Sequence, residues 1–458
     1  MIESPPTLPE GPIATILGDL RNERSATVPF PPGETSFSMR RTQSFMRDPM
    51  SWMLDGYERF GPVYTLRIFH HNVVMMLGPE ANHHILVSHA HNFSWRDGHL
   101  RDLAALMGDG LLTTDGPYHR AHRKMMLPAF HRERIRAATA VIENEVARAM
   151  GAFEPGAVID LYDWARNISL RVAMRALFGL DPDRVDTRGM DAADEFERAL
   201  SFHAQNIYGQ LARGPGTPYS RLLKSRARLD ALLYEEIDRR RDDGGGKEDL
   251  LSLLVQATDE DGEPLPTEQI RDEVMTLMFA AHDTTTSTIS FLFLELARNP
   301  ELAEDPGITV DMLLEETLRM YPPAYVGPRL SREPFEFAGI PVPGRAHIHY
   351  SSYASHHLPD VWPEPERFDP YRFTPEGKAA MRKGQYVPFG GGSRTCIGMR
   401  FGEAEIRVIA RAILERCRLD TLPGHRLVMR TAPTLSPRGG LPMVVRRAAP
   451  AAVLSATL

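Results

Sequence analysis

The chain is predicted to be mainly α-helical with minor β-structure, organised around one long central helix that crosses the molecule. Three observations predict this. Residues from about 78 to 320 carry mostly helical patterning, punctuated by turn clusters such as GPGTP (214–218) and DDGGGKED (242–249). Within that stretch nothing breaks the helix between Pro266-Thr267 and Asn299-Pro300, about 32 residues or about 48 Å. Strand-like runs are short and lie towards the two ends: VYTLRIF, NVVMMLG, PFEFAGIPVPG, AHIHYSSYA, RLVMRTA and LPMVVRR.

Taken in order, residues 1–35 are dense in proline and glycine and read as an extended arm. VYTLRIF and NVVMMLG then form a hairpin. Arg221 to Arg241 is a charged amphipathic helix stopped by three glycines, which mark a surface loop rather than a domain linker. Thr267 is a plausible N-cap for the long helix, whose middle reads FAAHDTTTST. Polar side chains at the centre of a buried helix need partners or have a job. PEPERFDPYRFTPEGK is too rich in proline for helix or central strand. FGGGSRTCIG leads into a last helix from about Met399 to Cys417. Residues 36–458 are expected to form a single domain.

Composition excludes several functions. A formal charge of −7, from 53 basic and 60 acidic side chains, is no nucleic-acid footprint. Two cysteines, Cys396 and Cys417, rule out a disulfide scaffold and a four-cysteine zinc site, and fit a reducing compartment. The opening MIESPPTLPEGP carries acids and prolines where a signal peptide needs a basic end and an apolar run. The most membrane-like stretch, Val274 to Arg298, is interrupted by His282, Asp283, threonines and Glu295. A cytoplasmic protein without a membrane anchor is expected.

The strongest local signal is Phe389-Gly-Gly-Gly-Ser-Arg-Thr-Cys396-Ile-Gly398. Glycines let backbone approach something bulky and adopt positive φ. The cysteine stands where a helix begins, a setting that favours thiolate. A lone thiolate suits a nucleophile or a single axial metal ligand; the structural alternative is a glycine turn around an inert cysteine. No Lys-Ser/Thr follows, so this is no phosphate loop. Cys417, among apolar neighbours, reads as buried and inert.

The pattern Phe-x-x-Gly-x-Arg-x-Cys-x-Gly, met at Phe389, Gly392, Arg394, Cys396 and Gly398, resembles the haem-binding loop of the cytochrome P-450 monooxygenases. The resemblance runs from about residue 90 to 445. Glu316 and Arg319 in EETLRMYPP resemble the family's Glu-x-x-Arg, and Pro365-Glu366-Arg367-Phe368 resembles its PERF segment, which implies a structural triad of Glu316, Arg319 and Arg367. Glu-x-x-Arg alone says little, since other copies occur, among them Glu133/Arg136, Glu145/Arg148, Glu295/Arg298 and Glu364/Arg367. Ala280-Ala281-His282-Asp283-Thr284-Thr285 resembles the oxygen-activation motif, with Ala281 where the family usually has glycine. A lone threonine run would instead be read as back-bonding to its own helix. The connection between Arg298 and Glu316 is shorter than the family norm.

The resemblance implies the cytochrome P-450 fold with the long helix over the haem. It implies haem b, held non-covalently because no Cys-x-x-Cys-His is present, with Cys396 as iron ligand and Phe389, Arg394 and Gly398 around it. His119, Arg123, Arg329 and Arg394 would meet the haem propionates. Asp283 and Thr284 would be catalytic, delivering protons in a helix locally distorted to admit dioxygen. A hydrophobic small-molecule substrate would meet the segments Phe93 to Leu112 and Phe202 to Tyr219, with Phe279, Ala280, Ala324, Tyr325 and Val326. Electrons would come from a separate ferredoxin or flavodoxin with its NAD(P)H-dependent reductase, docked on Arg120, Lys124, Arg132, Arg134, Arg400, Arg407 and Arg411. Two rivals remain: a peroxide-driven peroxygenase, and a haem-thiolate sensor that oxygenates nothing. The Asp283-Thr284 pair argues against both.

Overall fold

The computed structural model describes residues 11–98, 103–183, 192–200, 202, 212–243, 249–258 and 262–447. Residues 1–10 of the expected arm, 99–102 and 203–211 of the expected pocket segments, and 244–248 of the glycine-rich turn lie outside the described residues. By its internal contacts the chain divides into two compact units. A sheet unit combines Pro6–Asp102 with Glu315–Cys396, and a helical unit is drawn chiefly from Leu103–Leu314 and Ile397–Leu458. Each is assembled from distant stretches of chain, so no linker composition marks their boundary.

In the sheet unit a six-stranded sheet runs in the order Gly33–Glu34, Val63–Ile68, His71–Met76, His347–Tyr350, Gly327–Ser331, Phe93–Ser94. The predicted hairpin pairs Leu66 with Val73, and its second strand pairs in parallel with the late strand, Val74 against Ile348. Side chains alternate across a strand, and here both faces are covered. Val63, Val74, Met76 and Ile348 pack on one side; Tyr64, Leu66, Val73 and Met75 pack on the other. PFEFAGIPV folds as the small hairpin Phe335–Phe337 with Ile340–Val342. The expected extended arm contains a helix, Pro12–Arg24, with Pro12 in its first turn. The residues after Pro12 hold no further proline until 29, which leaves room for three helical turns.

In the helical unit the helix Thr267–Arg298 is continuous over 32 residues and packs against Leu161–Val172 and Met399–Arg416. Its N-cap is Pro266, without a side-chain cap. Thr267 instead accepts a hydrogen bond from Arg241 at 2.7 Å, because it already sits inside the first turn. The expected local distortion is not seen: Thr284, Thr286, Thr288 and Ser290 each donate to the carbonyl four residues back, at 2.7–2.9 Å, within an unbroken α-helix. The last helix ends at Arg416. Cys417 opens the strand Cys417–Thr421 instead of closing that helix, and burial pushes its thiol up to about 11. Among the described residues no helix is long and apolar enough to cross a membrane.

A buried ion pair organises the second half of the sheet unit. Arg319 meets Glu316 through two bonds of 2.7 and 2.9 Å, both side chains fully buried. Two further N–H groups donate to the carbonyls of His356 (2.9 Å) and Pro365 (2.8 Å). The third member expected, Arg367, is corrected. Its side chain is 64 % exposed and, among the described residues, reaches only Glu364, at 3.5 Å, while Arg372 lies 3.5 Å from the Glu316 carboxylate. Two Pro-x-Arg-Phe copies stand five residues apart, PERF and PYRF. The second forms the short 3-10 helix Pro370–Phe373, and the N–H of Asp369, just before it, donates to Glu316 at 2.9 Å.

Two predictions follow from these buried charges. Arg319→Leu should lose roughly 3–5 kcal/mol in denaturant unfolding, because it strands Glu316. In the same experiment Arg372→Ala should lose about 1–3 kcal/mol, and Arg367→Ala less than about 0.5; the reverse order would restore Arg367 to the triad. Burial also pushes the Glu405 carboxyl, on the last helix, up to about 8, with Ser169 offsetting it only in part. The folded protein then keeps a proton that the unfolded chain loses near 4.5, so stability falls as pH rises from 4.5 to about 8. Glu405→Gln should flatten that slope in unfolding curves measured across this window.

Candidate active site

The predicted site residues fall in both units. In the sheet unit the cysteine loop is closed on itself: the Cys396 N–H donates to the Phe389 carbonyl at 2.9 Å, and Thr395 Oγ1 donates to the Gly392 carbonyl at 2.9 Å. Gly390 (φ 69°) and Gly392 (φ 62°) supply the left-handed turns. A side chain at Gly392 could not fit, since its Cβ would lie 2.3 Å from the Leu86 carbonyl oxygen. Gly398 is the N-cap of the helix Met399–Arg416, two residues after the cysteine. The loop therefore holds one exposed thiol in a fixed backbone frame, while the other cysteine is buried.

A histidine absent from the sequence reading ties this loop to the Arg319 pair. The Val387 N–H donates to His356 Nε2 at 3.0 Å, so the ring proton is on Nδ1, which donates to the Arg319 carbonyl at 3.1 Å. Burial and the Arg319 charge hold His356 well below its ordinary pKa, hence neutral.

Two of the predicted propionate contacts meet over one indole. The Arg329 guanidinium stands 3.5 Å from the Trp95 ring centre, and that of Arg394 stands 5.0 Å from it. Arg329 is buried on the strand Gly327–Ser331. Trp95 lies in FSWRDG, and no spacing rule in the sequence singles it out. Among the expected pocket residues, Ala324 is exposed, and Tyr325 and Val326 are half-buried. Phe93 is corrected: it is a core residue, packed edge-on against Phe335 and joined to the strand Gly327–Ser331. A sheet covered on both faces leaves this side chain no open side.

In the helical unit, Asp283 and Thr284 sit side by side on the long helix but face different partners. Asp283 is buried, accepts a hydrogen bond from Thr434 through Oδ2, and among the described residues has no hydrogen-bond partner at Oδ1. Thr284 is half-buried and donates to the Ala280 carbonyl at 2.7 Å. Tyr162, hydrogen-bonded by Arg430 and by Arg166 (3.3 Å), has its phenol pushed up by burial and then by the charge of Asp283. His282 contacts Glu197 at 3.1 Å. Burial would raise the Glu197 carboxyl, but His282 and Arg166 outweigh it and hold the group below its usual range. Phe279 is buried, and Leu112 and Ala280 are half-buried.

His119, buried, and Arg123 share the helix Gly116–Met126. On the same helix His122 pairs with the buried Glu273 at 2.8 Å, a contact the sequence did not suggest. Of the expected docking cations, Arg120, Lys124, Arg132 and Arg400 are exposed. Arg407 is corrected: Asp311 and Glu403 already hold it, and they raise its pKa against the effect of burial.

This donor set fits a haem. There is one soft sulfur on a rigid loop for an axial bond, no second thiol to make a four-sulfur metal site, and arginines suited to carboxylates. Comparisons agree. The family model described as Cytochrome P450 matches residues 31–305 and 309–442, and its break falls in the shortened connection before Glu316. The chain is 31% identical over 448 residues to the Cyclooctat-9-en-7-ol 5-monooxygenase of Streptomyces melanosporofaciens, covering 91% of this chain and 95% of that one. It is 32% identical over 364 residues to the Cyclooctatin synthase of the same organism, covering 73% and 78%. Among solved structures, the retinoic-acid-bound cyanobacterial CYP120A1 superposes with a TM-score of 0.81 at 26% identity, covering 92% of this chain and 100% of that one. A glycine-hinged cysteine loop, the buried Glu-x-x-Arg pair behind it and matches over most of the chain lead to one assignment: this protein belongs to the cytochrome P450 family and is a P450 monooxygenase, whose cofactor is a haem held by a cysteine thiolate.

Proposed function

We propose that the protein hydroxylates or epoxidises a hydrophobic small molecule, with Cys396 as the axial ligand of a non-covalent haem b. The observation that carries this reading is the exposed Cys396 thiol on a loop whose backbone is fixed by Phe389 and by the glycine turn against Leu86. When bound, haem with a thiolate ligand supplies the activation of dioxygen. His119, Arg123, Arg329 and Arg394 hold its propionates, the two last pre-ordered by Trp95.

Asp283 and Thr284 carry protons. One oxygen of Asp283 is anchored by Thr434, which leaves Oδ1 to exchange a proton. The Thr284 hydroxyl must turn from the Ala280 carbonyl to donate elsewhere, giving up a hydrogen bond worth about 1 kcal/mol. Phe279 and Ala280 present apolar surface one turn away, which favours an apolar substrate. The relatives named for a cyclic alkenol and for retinoic acid are of that kind. Electrons come from a ferredoxin or flavodoxin and its NAD(P)H-dependent reductase in the cytoplasm, docked on exposed Arg120, Lys124, Arg132 and Arg400.

The ferrous–CO difference spectrum tests the ligand. A long-wavelength Soret band is expected in the wild type and its loss in Cys396→Ser; a band that survives the substitution removes Cys396 from the iron. Thr284→Ala, reconstituted with a surrogate ferredoxin and reductase, should divert most reducing equivalents to peroxide at a similar rate of cofactor oxidation. An unchanged yield of product per electron pair would remove the hydroxyl from proton delivery.

A further inference from the structure

Three histidines and an aspartate converge at one corner of the sheet unit, among residues that the oxygenase reading does not use. His70 lies in the turn of the hairpin and His71 opens its second strand. His347 begins the strand that pairs in parallel with it. Asp19 comes from the helix Pro12–Arg24 and is 3 % exposed.

The spacings are those of a coordination shell. Asp19 Oδ2 is 2.9 Å from His70 Nε2, which is 3.2 Å from His71 Nδ1. The three donor atoms all lie within 4.8 Å of one another. Ligands about 2.0–2.1 Å from a tetrahedral zinc ion stand about 3.3 Å apart. The other carboxylate oxygen, Oδ1, is 3.0 Å from His347 Nε2. A carboxylate can only accept, so His347 donates there and orients Asp19, as outer-shell partners of metal ligands do. We propose that Asp19, His70 and His71 form a binding site for Zn²⁺ or a similar borderline divalent cation, with His347 orienting the carboxylate.

Hydrogen bonding alone serves this cluster poorly. His70 Nε2 must donate its single proton to Asp19, so the Nδ1 lone pair of His71 is left facing that same proton. Two lone-pair donors and a carboxylate within 4.8 Å of one another suit a cation better than they suit a proton. The His70 side chain is 16 % exposed, which leaves a way in for the ion and a position for water. An ion here joins the N-terminal helix to the hairpin, beside contacts that already hold it: Glu23 with Arg67 at 3.2 Å, and Asn22 with Arg345 at 2.7 Å.

Untagged, haem-loaded protein is stripped with a chelator, desalted and titrated with Zn²⁺ against a chromophoric competitor, and bound zinc is counted by mass spectrometry. We expect one zinc per chain with micromolar or tighter affinity. His71→Ala and Asp19→Asn should each weaken it at least 10-fold and His347→Ala by 10–100-fold, while His89→Ala, whose ring stacks on His84 instead, leaves it unchanged. Should His71→Ala fail to fold, His70→Gln serves in its place, with the haem spectrum and circular dichroism as controls for folding. No zinc retained against the competitor, or retention unaffected by the His71 or His70 and Asp19 substitutions, overturns the proposal.

Discussion

A guanidinium removed from water costs several kcal/mol unless its N–H groups find acceptors, and Arg319 offsets that cost with four hydrogen bonds of 2.7–2.9 Å. Glu316 takes two of its bonds, and backbone carbonyls of residues 356 and 365 take others. The first closes the short helix Ser352–His356 and the second lies in an irregular stretch, so the arginine takes up carbonyls that no helix or sheet bond uses. His356 extends the arrangement to Val387, two residues before Phe389. The cysteine loop thus takes its position from charge and hydrogen bonding far along the chain, and little of that depends on the loop's own sequence beyond its glycines. The Glu316–Arg319 pair adds little net stability for its burial; its use is in defining one geometry.

Local signals were legible and long-range ones were not. The long helix, the hairpin at 63–76 and the glycine-hinged cysteine rest on patterns within a few residues, and they stand where the sequence puts them. Arg372 was hidden because two Pro-x-Arg-Phe copies carry the same local information, and only the fold decides which one turns inward. Trp95, His356 and Thr434 lie in unremarkable surroundings and become meaningful only when segments tens to hundreds of residues away arrive. Phe93 has the look of a pocket aromatic in sequence; its burial depends on strands contributed by residues 327–350. The N-terminal helix was obscured by prolines clustered on either side of it.

The polar centre of the long helix shows how one segment serves both structure and chemistry. Most of its hydroxyls are satisfied within the helix, by back-bonds that add no demand on neighbours. Ser287 instead donates to the Leu435 carbonyl, and beside it Asp283, a carboxylate that cannot donate to its own helix, recruits Thr434 from the same remote loop. That difference separates the threonines that merely fill the helix from the acid next to Thr284.

The parallel pairing of His71–Met76 with His347–Tyr350 has a consequence for biosynthesis. The second strand leaves the ribosome roughly 270 residues after the first, a delay of about 15–50 s at typical elongation rates. During that interval the apolar run NVVMML presents an unpaired edge, the kind of edge that recruits other chains. A nascent chain of this protein therefore has to shield that edge until the last third of the polypeptide has been made.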